Sequence, residues 1–439
     1  MAMVVKNNMS ALSALNTLNT NTNALSKSLK KVASGMKINS AADDASGYAI
    51  SEKMRVNIRS LNQANANAQN GTSMMKVAEG AVSSTVEILK TMKEKAVNAA
   101  NDTNTDADRA TIQKELDQSI DQINDNANVT FNGQYLVDGS KSKGTTATTT
   151  AMTNISLNTG TVTGSGLTDL RSRSGDSLNI HSTDTVTISF VKDGQTYTSS
   201  AQVGSAGKLG EMISKLTSGN LKITGAGTGT GATSTIGVDG SGNTVYTASG
   251  ETGITISASQ SGVENQIAGF TMYITDNTGA VNKSANAVLD AFDESIRAVN
   301  KSQDNSINMQ VGAKAGQAIK VGLTDMKAVA LGLQGQNGDT VSVGTREKAN
   351  AAINTFDSAI QKALDQQTTI GAAMSRLEYT QSNLTTASEN VTAAESTIRD
   401  ADMAKEMTEY TKNNVLMQAA QSMLSQANQS SSNALSLLQ

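Results

Sequence analysis

Residues Phe356–Ile398 read FDSAIQKALDQQTTIGAAMSRLEYTQSNLTTASENVTAAESTI, and within them Phe356, Ala363, Ile370, Leu377, Leu384, Val391 and Ile398 recur every seven residues without one polar interruption. Seven residues are two turns at 3.5 per turn, so the series makes one apolar stripe along a long helix. The first half of the chain carries a matching series, Leu61, Ala68, Met75, Val82, Leu89 and Ala96. A stripe of that length has to be buried against another. Neither half contains a second segment of comparable length, so the two halves are expected to pair with each other.

The ends repeat the period more weakly. Leu18, Leu25 and Val32 form one series, with Leu29 and Met36 on the adjoining seam; Met403, Tyr410, Met417, Leu424 and Leu438 form another, broken by Ser431. Short isolated helices are marginal in water, so these ends are expected to stay largely unfolded in the free monomer. Methionines concentrate in the helical parts (Met74, Met75, Met92, Met374, Met403, Met407, Met417, Met423). An unbranched, polarizable side chain suits either core filling or seams that repack during assembly.

A further helix is expected over Asp106–Ala127, with Thr105 or Asp106 as N-cap and Ile112, Leu116, Ile120, Ile123 and Ala127 on one face. It runs into VTFNGQYLV, where Asn132-Gly133 between alternating apolar residues marks a β-hairpin with a type I′ turn. TVTISF (Thr185–Phe190) followed by Asp193-Gly194 and QTYTS marks a second. Ile254–Ser257 and Phe270–Thr275 alternate similarly, and Gly207–Thr217 reads as a short helix. Residues 140–265 are rich in Thr, Gly and Ser, so they read as a small β-rich insertion whose ends lie close together. A disordered polar tract is the lesser alternative for 140–175 and 222–250.

The 439 residues include no proline, cysteine or tryptophan, one histidine, seven tyrosines and five phenylalanines. At the usual ~5% a chain of this length would hold roughly 22 prolines. Without cysteine there is no disulfide, thiolate nucleophile or sulfur-ligated metal. His181 alone cannot make a two-histidine metal site and leaves little for general-base chemistry. A net charge of −4 supplies no basic stripe for nucleic acid. No apolar run reaches 18 residues, so no membrane span is expected, and Met1–Lys31 lacks the order of a cleaved secretory signal. Asp43-Asp44 in NSAADDASGYAI reads as a turn between helices rather than a catalytic pair. Gly225, Gly227, Gly229 and Gly231 lack the lysine of a phosphate loop, and Asp239–Asn243 lacks the terminal glutamate of a calcium loop. No catalytic, cofactor or metal residue is expected.

Several motifs in order resemble bacterial flagellin: VASGMKINSAADDASGYAI (Val32–Ile50), MKVAEGAV (Met75–Val82), VTFNGQYLV (Val129–Val137), TIRDADMAKEM (Thr397–Met407) and NQSSSNALSLLQ (Asn428–Gln439). One departure concerns order. Ile307–Leu333 usually follows the hairpin closely in such proteins, whereas here the insertion intervenes. The resemblance implies a mainly α fold, a long antiparallel helical rod or coiled coil from both termini with a β-hairpin and an inserted small β-rich (α+β) surface domain. Residues 1–45 and 396–439 would form the inner coiled coil, 46–139 and 303–395 the outer helical core, and 140–302 the variable insertion. It further implies a secreted, extracellular subunit, delivered by the flagellar type III system with an export chaperone and a cap, that polymerises with itself into a helical filament for motility, without nucleic acid or membrane insertion. A hook–filament junction protein is the alternative. The seam Leu18, Leu25, Val32, Met403, Tyr410, Met417, Leu424 and Leu438 would carry polymerisation. Leu89, Thr91, Lys93, Lys95 and Glu115 fall where flagellins meet Toll-like receptor 5, and Leu435, Leu437 and Leu438 where NAIP-class inflammasome sensors bind. Glu115 matches the family, whereas Thr91 replaces the arginine and Lys95 the leucine of strong agonists, which implies a weak or silent ligand.

Overall fold

A computed structural model of the chain describes residues 8–204, 207–224, 235–247 and 253–436. It is mainly helical, at 52% helix, and divides into two compact units. Residues 1–69, 310–318 and 379–439 form the first, and 70–309 with 319–378 the second.

In the first unit, helix Met9–Ser34 (α1) opens on the Asn8 side chain, which accepts from the Ala11 N–H, and ends at Gly35. The N-terminal part of helix Ala45–Ala99 (α2) lies antiparallel to the C-terminal part of a later helix of similar length, Arg346–Arg399. The Ser388 hydroxyl donates to Asn62 Oδ1 (2.9 Å), Asn65 Nδ2 donates to Thr385 (3.4 Å), and Leu61, Ala64 and Leu384 are buried together against Ala313, Ala387 and Val391.

The second unit contains the rest of α2 and helix Asp106–Ala127 (α3), whose bounds are those expected. Thr105 and Asp108 form a reciprocal capping box at its start. Strands Thr130–Phe131 (β1) and Gln134–Tyr135 (β2) close through Asn132 (φ 50°) and Gly133 (φ 75°), the left-handed pair that a type I′ turn requires. The sevenfold stripes are the core of this unit: Met75, Val82, Leu89 and Ala96, and Phe356, Ala363, Ile370 and Leu377, are fully buried. Such side chains contribute ~1.5–3 kcal/mol each when large. The ion pair Lys93–Asp357 (2.6 Å), exposed on both sides, belongs to a class worth only ~0–1 kcal/mol. Apolar burial therefore drives the helix packing.

The inserted segment carries defined secondary structure over 140–175, as the β-rich reading expects and the alternative of a disordered tract does not. It builds two sheets around one core. Strands Ala151–Asn154 (β3), Thr185–Lys192 (β4), Gln195–Gln202 (β5), Leu221–Thr224 (β6), Thr235–Val238 (β7), Thr244–Tyr246 (β8), Ile254–Ala258 (β9), Ile267–Thr275 (β10) and Asp293–Ile296 (β11) are joined by helices Leu209–Leu216 (α4) and Lys283–Leu289 (α5). One sheet has the order β10-β4-β5 and the other β11-β3-β9-β6; β7 and β8 pair separately. Val186, Ile188, Phe190 and Met272 face Ile254, Ile256 and Met152 in a shared core closed by Met212, Ile213 and Leu289. The alternating glycines Gly225–Gly231 lie outside the described residues.

The ends of the insertion meet. Thr145 and Ser302 exchange backbone hydrogen bonds (3.1 and 3.0 Å), and their neighbours Ser142 and Asn305 add another (3.0 Å). Beyond them come strands Ile307–Gln310 (β12) and Ala318–Val321 (β13) and the single turn Ala328–Leu331 (α6). Leu323 N–H then bonds the Lys141 carbonyl (2.9 Å) and Met326 N–H the Val137 carbonyl (2.9 Å). The segment that is displaced in sequence thus sits beside the β1–β2 hairpin in space. The insertion also docks on helix Arg346–Arg399 (α7). At Gly269 (φ 61°) the β10 backbone lies so close to α7 that a Cβ would overlap the Ala351 carbonyl and the Thr355 hydroxyl. Arg297 pairs with Asp365 (2.5 Å) beside it, and the buried Lys362, its ammonium pK pushed down by burial, faces Glu294 (3.8 Å).

Asp290, at the C-terminal end of α5, has its carboxyl pushed up to about 6 by burial. A raised carboxyl pK means the native state holds its proton more tightly than the unfolded chain does, so stability falls as pH rises from about 4 to about 6. Asp290→Asn is expected to stabilise the chain at pH 7.5 by up to about 2–3 kcal/mol and to have little effect at pH 4. Denaturant titrations at the two pH values check this; equal effects at both would contradict it.

Candidate functional site

Among the described residues no group of acidic or histidine side chains could hold a metal, and no helix is long and apolar enough to cross a membrane. Asp43 and Asp44 are turn residues. The Asp43 carboxyl accepts from the Ser40 hydroxyl and the Asn39 and Ser40 N–H groups, which hold it below the usual carboxylate range, the Ser40 hydroxyl foremost. Asp44 accepts from the N–H groups of Ser46 and Gly47 at the start of α2. His181 is exposed. Asp239 closes its loop by accepting from Ser241 and Asn243. Each carboxylate has a local structural task.

What the first unit offers instead is a pair of helices with incomplete cover. Helix Met403–Ser436 (α8) runs antiparallel to α1. Lys31 pairs with Glu406 (3.3 Å), Asn413 Nδ2 donates to Ser28 Oγ (3.0 Å), Asn21 to the Leu416 carbonyl (3.1 Å) and Asn8 to the Ala427 carbonyl (3.2 Å). Leu18, Leu25, Val32, Tyr410, Met417 and Leu424 are half-buried. Ser28 and Ala420 are the residues of this pair that fall in the buried class among those described. Met403, the first residue of α8 and next to the Asp402 cap, is 44% exposed. Leu29 is exposed too. The side chain of Leu435 and all of Leu437 and Leu438 lie outside the described residues.

Much apolar surface stays uncovered on both helices. Leu12, Leu15 and Leu29 are exposed on α1, Leu15 and Leu29 being two heptads apart on one face. On α8, Met407, Val415 (59%), Leu416 and Met423 (65%) are exposed, the last two one heptad apart. Two helices with seams on more than one face cannot satisfy each other alone.

A clasp joins the helix ends. Arg399, 5% exposed at the end of α7, donates to Glu52 Oε1 (2.7 Å) and lies 5.4 Å above the Tyr48 ring. Its carbonyl accepts from the Lys37 N–H (2.6 Å), and the Ala401 N–H donates to the Gly35 carbonyl (2.9 Å). The Glu52 carboxyl is held below its ordinary range, first by Arg399 and then by Arg55. Its stabilising share is therefore present at neutral pH and is lost as pH falls through the carboxylate range. In sequence Arg399 belongs to no apolar period; Tyr48 and Glu52, four apart on one helix face, are the local signal of a shared partner.

The proposed receptor patch lies in the second unit and is altered by its own packing. Leu89 is fully buried, in keeping with its place in the core stripe. Thr91 is exposed and bonds back to the Glu87 carbonyl (3.1 Å). Lys93 is paired with Asp357, and Lys95 with Glu115 (3.0 Å). Arg109, also unforeseen, donates to the carbonyls of Ala99 (2.9 Å) and Asn101 (3.1 Å), satisfying the C-terminus of α2.

Arg399→Met is expected to speed amide exchange across residues 36–48 about tenfold while the core stripe of the second unit stays protected. Mass-spectrometric hydrogen exchange checks this; unchanged protection there would show that the clasp is dispensable.

Family models for the bacterial flagellin N-terminal helical region and C-terminal helical region match residues 5–142 and 353–438. A flagellin of Clostridium tyrobutyricum is 36% identical over 97% of this chain and 99% of its own length. Polar flagellin C of Vibrio parahaemolyticus is 32% identical over the full length of both. The solved flagellar junction protein FlgL of Legionella pneumophila is 13% identical over 80% of this chain and 99% of its own, with a TM-score of 0.32, which adds no weight. The chain belongs to the bacterial flagellin family, whose members are structural subunits of the flagellar filament and not enzymes.

Proposed function

We propose that this chain polymerises with itself through α1 and α8 into the extracellular filament. The observation that carries the reading is the pair of terminal helices that leave Leu12, Leu15, Leu29, Val415, Leu416 and Met423 exposed while their mutual seam is only half-buried. Contact with neighbouring copies would cover those side chains and complete the stability that the monomer lacks. Head-to-tail contacts that do not close produce a helical polymer. In this reading residues 1–45 and 396–439 form the inner layer, 46–139 and 303–395 the outer helical core, and 140–302 the outward domain.

Passage through the flagellar type III channel, with an export chaperone and a cap at the growing tip, fits a chain that must unfold, travel and refold. Lacking proline and cysteine, it avoids both isomerisation over tens of seconds and disulfide formation over seconds to hours. Removal of residues 400–439 is expected to leave a soluble monomer that forms no filaments. Electron microscopy after ammonium sulfate treatment checks this, and filaments of normal length from the truncated chain would reject the mechanism. The same images of the full chain separate long filaments from the short zones of a junction protein.

As a host ligand the chain is a weak or silent agonist of Toll-like receptor 5. The Lys95 ammonium occupies Glu115, and Thr91 offers no bidentate donor. An interface centre that lacks both an arginine and an apolar anchor loses ~2 kcal/mol or more for each. In a reporter-cell assay Thr91→Arg with Lys95→Leu is expected to raise potency at least about thirtyfold, the change that recovering one ~2 kcal/mol loss produces. No gain over the parent chain rejects the reading. The Leu435–Leu438 end is the part offered to NAIP-class sensors.

A further inference from the structure

We propose that β5 is an open sheet edge that pairs with the β5 of a second copy, antiparallel and about a two-fold axis at Ser199. The two-residue turn Asp193-Gly194 makes Lys192–Gln195 the first hydrogen-bonded pair of the β4–β5 ladder. Alternation then directs the backbone groups of Tyr197, Ser199 and Ala201 to β4, and those of Thr196, Thr198, Ser200 and Gln202 away from it. Among the described residues no strand lies on that outer side, and no backbone bond reaches Thr196, Thr198 or Ser200 from it. Thr198 and Ser200 are exposed.

The opposite edge of the same sheet is closed. Along β10, Ile274 N–H donates to Asn286 Oδ1 (2.7 Å), the Ile274 carbonyl accepts from Asn282 N–H (3.1 Å), and the register shifts between Ala268 and Thr271. In the second sheet, the edge strand β11 also carries a register shift, and β6 is short and bears Lys222. Bulges, lysines, prolines and shortness are the usual means of blocking edge-to-edge association. β5 has none of them: its eight residues, QTYTSSAQ, are uncharged, free of proline and in unbroken register.

That neutrality selects the occupant. A two-fold pairing about Ser199 sets Thr198 opposite Ser200, Thr196 opposite Gln202 and Tyr197 opposite Ala201. No like charges meet, and every outward N–H and C=O finds a partner. Resting on the filament reading, the contact acquires a second property. A two-fold contact cannot relate subunits that repeat along one polar filament, so it joins neighbouring filaments side by side, and repetition along both makes a weak contact effective.

Ser199→Cys tests the pairing, because the chain contains no other cysteine. Opposed Ser199 positions form a non-hydrogen-bonded pair about 4.5 Å apart at Cα, within disulfide reach. In mildly oxidised filaments the variant is expected to form disulfide dimers at least about tenfold faster than Tyr246→Cys, an exposed site on another hairpin, because alignment raises the effective thiol concentration. Adding Thr198→Lys and Ser200→Lys should abolish both the dimers and lateral pairing while single filaments still grow. Equal rates at the two cysteine sites, or dimers indifferent to the lysines, overturn the proposal. If no filaments form, the filament reading fails by itself, and the same comparison on concentrated monomer decides the pairing.

Discussion

Burial of two apolar stripes with a seven-residue period is the constraint that governs this molecule. Met75, Val82, Leu89, Phe356, Ile370 and Leu377 lose all contact with water, and each large one contributes more than the exposed ion pairs around it. Small members of the stripes, Ala68, Ala96 and Ala363, allow close approach, as the backbone contact at Gly269 does for the docked insertion. Everything else can be elaborated on that frame. A segment of more than 150 residues enters and leaves through the Thr145–Ser302 bridge without disturbing the hairpin beside which the chain resumes.

The terminal helices obey the same rule with less material. Their seam mixes Leu and Met with Ser28, Asn21 and Asn413, and its hydrogen bonds run to side chains and carbonyls of the opposite helix. Its apolar residues are distributed over more surface than one partner helix can cover. Exposed methionines on α8 contrast with the buried Met75 and Met92 of α2. The flexible thioether suits a surface whose final neighbours arrive later. The clasp at Arg399 is the point at which such a conditional structure is tied to a permanent one.

Periodicity and turn chemistry were legible in the residues. The bounds of α3, the left-handed turns at Asn132-Gly133 and Asp193-Gly194, and both stripes emerge where spacing and local propensity agree. Features that depend on distant partners were not. Arg399 meets Glu52 across 347 positions of sequence, and one arginine at a helix end has no period to betray it. Gly269 looks like any glycine in a strand until α7 is brought against it. Leu89 shows a different difficulty: it belongs to the stripe and to a segment that resembles a receptor site, and only burial separates the two roles. Met403 keeps the period yet is exposed at the first position of its helix, and spacing alone does not measure cover there.

The hydrogen bond between Ser28 and Asn413 has a consequence for alignment. A repeating apolar surface permits several sliding matches, each seven residues from the next and similar in greasy contact. Displacing α8 by one repeat would separate that hydroxyl from that amide and leave the buried Ser28 hydroxyl without it, at about 1–3 kcal/mol. The polar couple therefore acts as an indexing pin, rejecting staggered neighbours that hydrophobicity by itself would accept.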